Sequence, residues 1–159
     1  MHRSNRGSNQ IFRQILTLSP DPRLDLYAEN ILDHFKSPRG KEPLEKPTVS
    51  HHEINASCGD ELTVNLKIEN DIITRLSWSG TGCAISQAAM SMLSEELTGM
   101  NVKDIEVMKP EHIKELLGVP VGMRRIKCAL LCLHALKNAL RKNAGKKPQS
   151  WVETVGTEN

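Results

Sequence analysis

The sequence is poor in aromatic residues: two Trp, one Tyr and two Phe make up 3% of the chain. With so few rings, and no basic stripe interleaved among them, there is little to stack on bases, and no nucleic-acid partner is expected. Net charge is slight, +2 at neutral pH, and singles out no polyanion. No apolar run approaches the roughly 20 residues of a membrane-spanning helix, so a soluble chain with no membrane partner is expected. Cysteine is scarce, four in 159 residues, and no pair has the short Cys-x-x-Cys spacing of a zinc knuckle. Residues 1–20 lack the long apolar stretch of a secretory signal. That points to a reducing compartment, where thiols bind metal or do chemistry rather than form disulfides. The expected location is the bacterial cytoplasm. Arg3, Arg6 and Arg13, with no acid before Asp21, keep open an organellar transit peptide and the mitochondrial matrix.

The length suits one domain, and a hydrophobic fraction of 38% suffices for one modest core. The chain is expected to divide into a flexible extension (1–20), a folded domain (21–143) and a polar tail (144–159). Leu24, Tyr27, Ala28, Ile31, Leu32 and Phe35 fall on one helical stripe, with Asp21 as cap and Pro22 at the first helical position. Pro38 and Gly40 end it. A strand is predicted near Ser50–Asn55. Leu62, Val64, Leu66 and Ile68 alternate with polar residues, and Ile72, Thr74, Leu76 and Trp78 continue the pattern after an Asn70-Asp71 turn. Gly80 and Gly82 break the strand. A helix from about Ala84 to Leu97 stops at Gly99. Asn101 and Asp104 open a short helix to Met108, and Pro110 to Leu117 forms another, ended by Gly118. The last helix runs from about Arg124 to Lys142, with Leu133, Leu136 and Leu140 on one stripe and Cys128, Cys132, Ala135 and Ala139 on its neighbour.

Three cysteines and one aspartate carry the chemistry. Cys58 and Asp60 lie in Ala56-Ser57-Cys58-Gly59-Asp60, Cys83 in Gly80-Thr81-Gly82-Cys83-Ala84, and Cys128 in Arg125-Ile126-Lys127-Cys128-Ala129. Each cysteine stands where a turn meets a regular element, and together they offer three thiolates and a carboxylate, a four-coordinate set for zinc or iron. Gly59 permits the tight turn that would let Cys58 and Asp60 aim at one centre. Cys83 precedes a helix, whose positive end lowers a thiol pKa. Arg125 and Lys127 beside Cys128 favour its thiolate and offset the anionic charge of such a site. Taken singly, each position also reads as a small thiol in a turn, at a corner or inside an apolar helix. Cys132, among Leu130, Leu131 and Leu133, reads as core. His134 reads as exposed or satisfied in the core, His51 and His52 as solvent-facing, and His34 as a surface residue.

Four segments in order resemble the scaffold family of iron–sulfur cluster assembly, the IscU/SufU/NifU N-terminal type, over about Leu24 to Asn143. They are Asp33-His34-Phe35-Lys36-Ser37-Pro38-Arg39, Ala56-Ser57-Cys58-Gly59-Asp60, Gly82-Cys83-Ala84-Ile85-Ser86 and Arg125-Ile126-Lys127-Cys128-Ala129. The resemblance implies an α+β fold, a three-stranded antiparallel sheet with helices packed on it. It implies Cys58, Cys83 and Cys128 as ligands and Asp60 as a zinc ligand or a promoter of cluster release. Lys127 stands where IscU-like chains have His, which favours the SufU-like branch. The 45-position step from Cys83 to Cys128 instead matches the shorter IscU-like form. Gly118-Val119-Pro120-Val121-Gly122 only dimly echoes the Leu-Pro-Pro-Val-Lys motif, which speaks against handoff through an Hsp70-type chaperone.

Three functions follow as expectations. The first is a scaffold that takes persulfide sulfur from a cysteine desulfurase, with Cys128 as acceptor. It would assemble a transient [2Fe–2S] cluster on Cys58, Cys83 and Cys128, and pass it to apo iron–sulfur proteins, Asp60 easing release. The second is a zinc-dependent sulfur acceptor that stimulates the desulfurase, with Zn²⁺ on Cys58, Asp60, Cys83 and Cys128. The third is a non-catalytic, metal-stabilised adaptor.

Overall fold

Leu62, Val64 and Leu66 are buried while the residues between them are only half-buried. This is the two-residue period of a strand with one covered face. That strand, β2 (Asp60–Glu69), runs between β1 (Val49–Asn55) and β3 (Ile72–Thr81) in an antiparallel sheet of order β1-β2-β3. In the computed structural model, which describes residues 23–156, the helices are α1 (Arg23–Lys36), α2 (Ala84–Leu97), α3 (Val102–Glu106), α4 (Pro110–Leu117), α5 (Ile126–Asn143) and α6 (Trp151–Val155). The proposed extension 1–20 and the Asp21-Pro22 cap lie outside the described residues. The fold is α+β, with helices packed on the three-stranded sheet.

Local chemistry explains most boundaries. Asn70 and Asp71 both take positive φ, 54° and 62°, the backbone of a two-residue hairpin turn that Asn and Asp tolerate. The Asn101 side chain accepts the Lys103 N–H and opens α3, one of the bonds a helix start otherwise leaves unmade. Pro110 begins α4 and Gly118 closes it in the left-handed conformation. α5 carries the largest apolar load, with Leu130, Leu131, Leu133, Leu136 and Ala139 fully buried against β1, β2 and α2. Truncating one such leucine to alanine costs about 2–5 kcal/mol.

Four expectations are corrected. On α1 the covered face is Leu24, Ala28, Ile31 and His34, while Tyr27 and Phe35 are exposed. His34 is therefore no surface residue, because its Nδ1 meets the Ser91 hydroxyl on α2 at 2.7 Å. On β3 the buried position is Ile73 rather than Ile72 or Thr74. A register shift between Lys67 and Ile68 leaves Thr74 out of the strand pairing, which changes the phase before Leu76 and Trp78. His51 is not free in solvent, since its Nε2 pairs with Glu53 at 2.9 Å and the side chain is mostly covered. The segment after Asn143 is not merely a polar tail. Ser150 and Glu153 form a capping box that starts α6. Trp151 then stacks on His134 with centroids 4.0 Å apart.

Candidate metal centre

The sheet register builds the floor of the site. Asn55, the last residue of β1, pairs with Asp60, the first of β2. Asp60 is in phase with Leu62, Val64 and Leu66, so its carboxylate points to the core side and is 2% exposed. The four residues between the strands turn back sharply. The Cys58 and Gly59 N–H groups both donate to the Asn55 carbonyl, at 3.3 and 2.8 Å. Gly59 sits at φ 77°, where a side chain would strain the backbone. The turn leaves Cys58 exposed.

Two helix starts close the site. Cys83 is the residue before α2 and is half-buried. Its N–H donates to Asp60 Oδ1 at 2.9 Å, so the α2 entrance holds the carboxylate. Its sulfur makes no hydrogen bond to the helix start and lies 3.8 Å from Asp60 Oδ2. Gly82 is required here, because a Cβ on it would lie 2.3 Å from Asp60 Oδ1. Cys128, in the first turn of α5, is 4% exposed. Its Sγ is 3.1 Å from Cys58 Sγ, and Cys58 Sγ is 3.0 Å from Asp60 Oδ2.

One ligand atom each from Cys58, Asp60 and Cys128 therefore lie within 4.8 Å of one another. Cys83 stands just outside this set and joins it through Asp60. Zinc–sulfur bonds of about 2.3 Å in a tetrahedron imply sulfurs roughly 3.8 Å apart. The donors are spaced for a single ion with small outward shifts, and soft thiolates with one carboxylate suit zinc or iron.

Electrostatics sharpen this. The Cys128 thiol is pushed far above its ordinary range, first by burial, then by hydrogen bonding to Cys58 and Asp60 and by the charges of Cys83 and Asp60. Arg125 and Lys127, expected to favour the thiolate, do not outweigh this. Both are exposed, and the Lys127 ammonium lies over the Trp151 ring, 5.7 Å from its centroid. A cation in the pocket would reverse the balance and release protons.

The remaining candidates stay apart. Cys132 is fully buried, bonded to the Ala129 carbonyl, and its thiol is pushed up to about 12 by burial. His134 is buried, with Nδ1 2.6 Å from the Thr154 hydroxyl. Its pKa is lowered, chiefly by burial. His52 is exposed beside Glu61. Sequence reasoning missed Asn55, whose side-chain nitrogen reaches Cys58 Sγ at 3.0 Å and Cys128 Sγ at 3.8 Å. Its position three residues before Cys58 was the available signal, and that becomes informative only once the strand register is known.

Comparison with known proteins shows the family. The family described as "NifU-like N terminal domain" matches residues 26–150. The iron-sulfur cluster assembly scaffold protein IscU of Thermotoga maritima is 32% identical over 133 residues, spanning 74% of this chain and 94% of that protein. The zinc-dependent sulfurtransferase SufU of Bacillus subtilis is 31% identical over 137 residues, spanning 76% of this chain and 92% of that protein. A solved structure from Fervidobacterium islandicum, described as an iron-sulfur cluster assembly scaffold for the SUF system, superposes with a TM-score of 0.60 at 28% identity. It spans 70% of this chain and 94% of the other.

Proposed function

This chain belongs to the NifU-like N-terminal domain family, and from that membership we propose that it is a scaffold of iron–sulfur cluster assembly. It accepts sulfur from a cysteine desulfurase, carries a [2Fe–2S] cluster as cargo on Cys58, Cys83 and Cys128, and yields it to apo-proteins. The observation that carries the reading is the meeting of Cys58, Asp60 and Cys128 within 4.8 Å, with Cys83 3.8 Å from the same carboxylate. Donors from three distant segments converge at the edge of one core, with one sulfur at the surface.

Exposure moves the first acceptor from Cys128 to Cys58. An incoming persulfide must reach the sulfur, and Cys58 is exposed where Cys128 is covered. The Cys58 thiolate attacks the outer sulfur of the persulfide. That S–S bond breaks, the desulfurase cysteine leaves as a thiolate, and Cys58 carries the persulfide. Cys128, 3.1 Å away, can take the sulfur on once a cation in the pocket has displaced its thiol proton; its thiolate then attacks the outer sulfur and Cys58 leaves as a thiolate. Reduction to sulfide takes two electrons from an external reductant. Asp60 supplies a harder oxygen beside the soft cluster, which favours release.

A second reading, a zinc-dependent sulfur acceptor, is favoured by the spacing of the donors, which suits one ion. Zinc there would hold the thiols as thiolates until sulfur arrives. The adaptor reading is weaker, since closed structural zinc sites use Cys and His and this one offers an exposed cysteine and a carboxylate.

The experiment is anaerobic purification with metal analysis, then addition of a desulfurase, cysteine, ferrous iron and a dithiol. Visible cluster absorbance that transfers to an apo-ferredoxin supports the scaffold. One tightly held zinc, faster desulfurase turnover and no cluster support the acceptor. No metal and no effect on the desulfurase refute both.

A further inference from the structure

We propose that Asn55 is a positioning residue of the pocket, its side-chain amide donating N–H···S hydrogen bonds to Cys58 and Cys128 and thereby setting how firmly these sulfurs hold a metal ion. The inference rests on the reading that the pocket binds metal, and it adds a residue outside the cysteine–aspartate set.

Three observations carry it. Asn55 is 2% exposed and stands opposite Asp60 on the covered face of the sheet, so its amide cannot turn to solvent. The orientation of that amide is fixed, because Oδ1 accepts the Ser57 N–H at 3.3 Å and a backbone N–H can face only the oxygen. The NH₂ end is thereby aimed inward. Its hydrogen-bond partners among the described residues are the two sulfurs, at 3.0 and 3.8 Å.

The chemistry follows from charge. Three thiolates and a carboxylate around a divalent ion leave a net charge of about −2. Lys127, the cation nearest Cys128 in sequence, faces Trp151 instead. A buried amide donor stabilises the thiolate against the thiol and draws electron density off the sulfur. Partners of this kind, one step behind the ligands, tune metal affinity.

Asn55 also shapes the turn, and the two roles separate cleanly. Asn55→Asp keeps an oxygen for the Ser57 N–H but replaces the donor with a charge that repels thiolates. Asn55→Ala removes both. Wild type and both variants, as full chains, are titrated with Zn²⁺ against a chromophoric chelator. They are then loaded with Co²⁺ to read the sulfur-to-cobalt charge-transfer band. The Asp variant is expected to lose roughly 10- to 100-fold in zinc affinity and to shift the band to lower energy. Affinity within about twofold of wild type, with an unmoved band, would make Asn55 a turn-former only and overturn the inference. Circular dichroism of the metal-free proteins checks folding. Asn55→Ser, whose hydroxyl can still serve the turn, gives the same discrimination if the Asp variant does not fold. A wild-type chain that binds neither zinc nor cobalt refutes the metal-pocket reading itself, and this inference with it. Binding by wild type and Asp variant alike refutes only the role of Asn55.

Discussion

Gly82 and Asp60 should be energetically coupled, and the size of the coupling can be worked out. A Cβ on Gly82 would lie 2.3 Å from Asp60 Oδ1 and 2.8 Å from its Cγ. Asp60 is 2% exposed, and its Oδ1 takes the Cys83 N–H at 2.9 Å. The carboxylate can escape the new methyl group only by giving up that bond. A charge-assisted hydrogen bond of this kind is worth about 1.5–3 kcal/mol. The backbone at φ 149° adds strain of about 1–3 kcal/mol for a non-glycine residue. Gly82→Ala should therefore cost about 2.5–6 kcal/mol in the metal-free protein. In an Asp60→Ala background most of the clash is gone, leaving only the 2.9 Å approach to the Asp60 Cβ. There the same substitution should cost little more than the strain. A denaturant double-mutant cycle, read by circular dichroism, should give a coupling of about 1.5–3 kcal/mol. Additivity within about 0.5 kcal/mol would refute the claim that Gly82 is small for the sake of the carboxylate.

Asp60→Ala should hold a reconstituted cluster several-fold longer than wild type in a transfer assay, because the remaining ligands are the soft ones; faster loss would count against the scaffold. Acidification should destabilise the fold through His34 and His134, whose folded pKa values both lie below the ordinary range, chiefly through burial. Their contribution is complete above the unfolded value of about 6.5 and disappears as pH falls through the lowered folded values. The urea midpoint should drop over that window, and His134→Gln should flatten part of the drop; a level or rising midpoint contradicts the burial argument. Cys132→Ser should leave persulfide acceptance unchanged while costing roughly 1–2 kcal/mol for a buried hydroxyl; loss of acceptance would show that Cys132 takes part in the chemistry.

Where local chemistry decides, the sequence was a good guide. α2, Ala84–Leu97, and α4, Pro110–Leu117, have the expected bounds. Proline at the start and glycine at the end act through the backbone of their own neighbourhood. The misreadings fell where a distant partner decides. Phe35 is more apolar than His34, yet His34 is the buried one, because Ser91, 57 positions away, supplies its hydrogen bond. α6 differs, since Ser150-Trp151-Val152-Glu153 is a capping box legible in the sequence itself, set in an otherwise polar stretch.

The site divides along the same line. Residue type and turn placement make Cys58, Asp60, Cys83 and Cys128 candidates and the family resemblance singles them out, but which sulfur faces solvent was not legible. The basic neighbours of Cys128 suggest a reactive thiolate, whereas first-turn placement on a helix buried against the sheet covers that sulfur and pushes its thiol pKa up. Asn55 was invisible for a related reason. On β1 the covered positions are Val49, His51, Glu53 and Asn55, and the outward ones include Ile54, 49% exposed. Hydrophobicity therefore reports the phase of this strand wrongly at the end that matters. The pairing of Asn55 with Asp60 fixes the phase instead. β2, whose alternation was plain, turns Asp60 inward, and its antiparallel partner must turn inward with it. An amide that only a cross-strand neighbour could place thus ends up beside the two sulfurs that sequence alone had already selected.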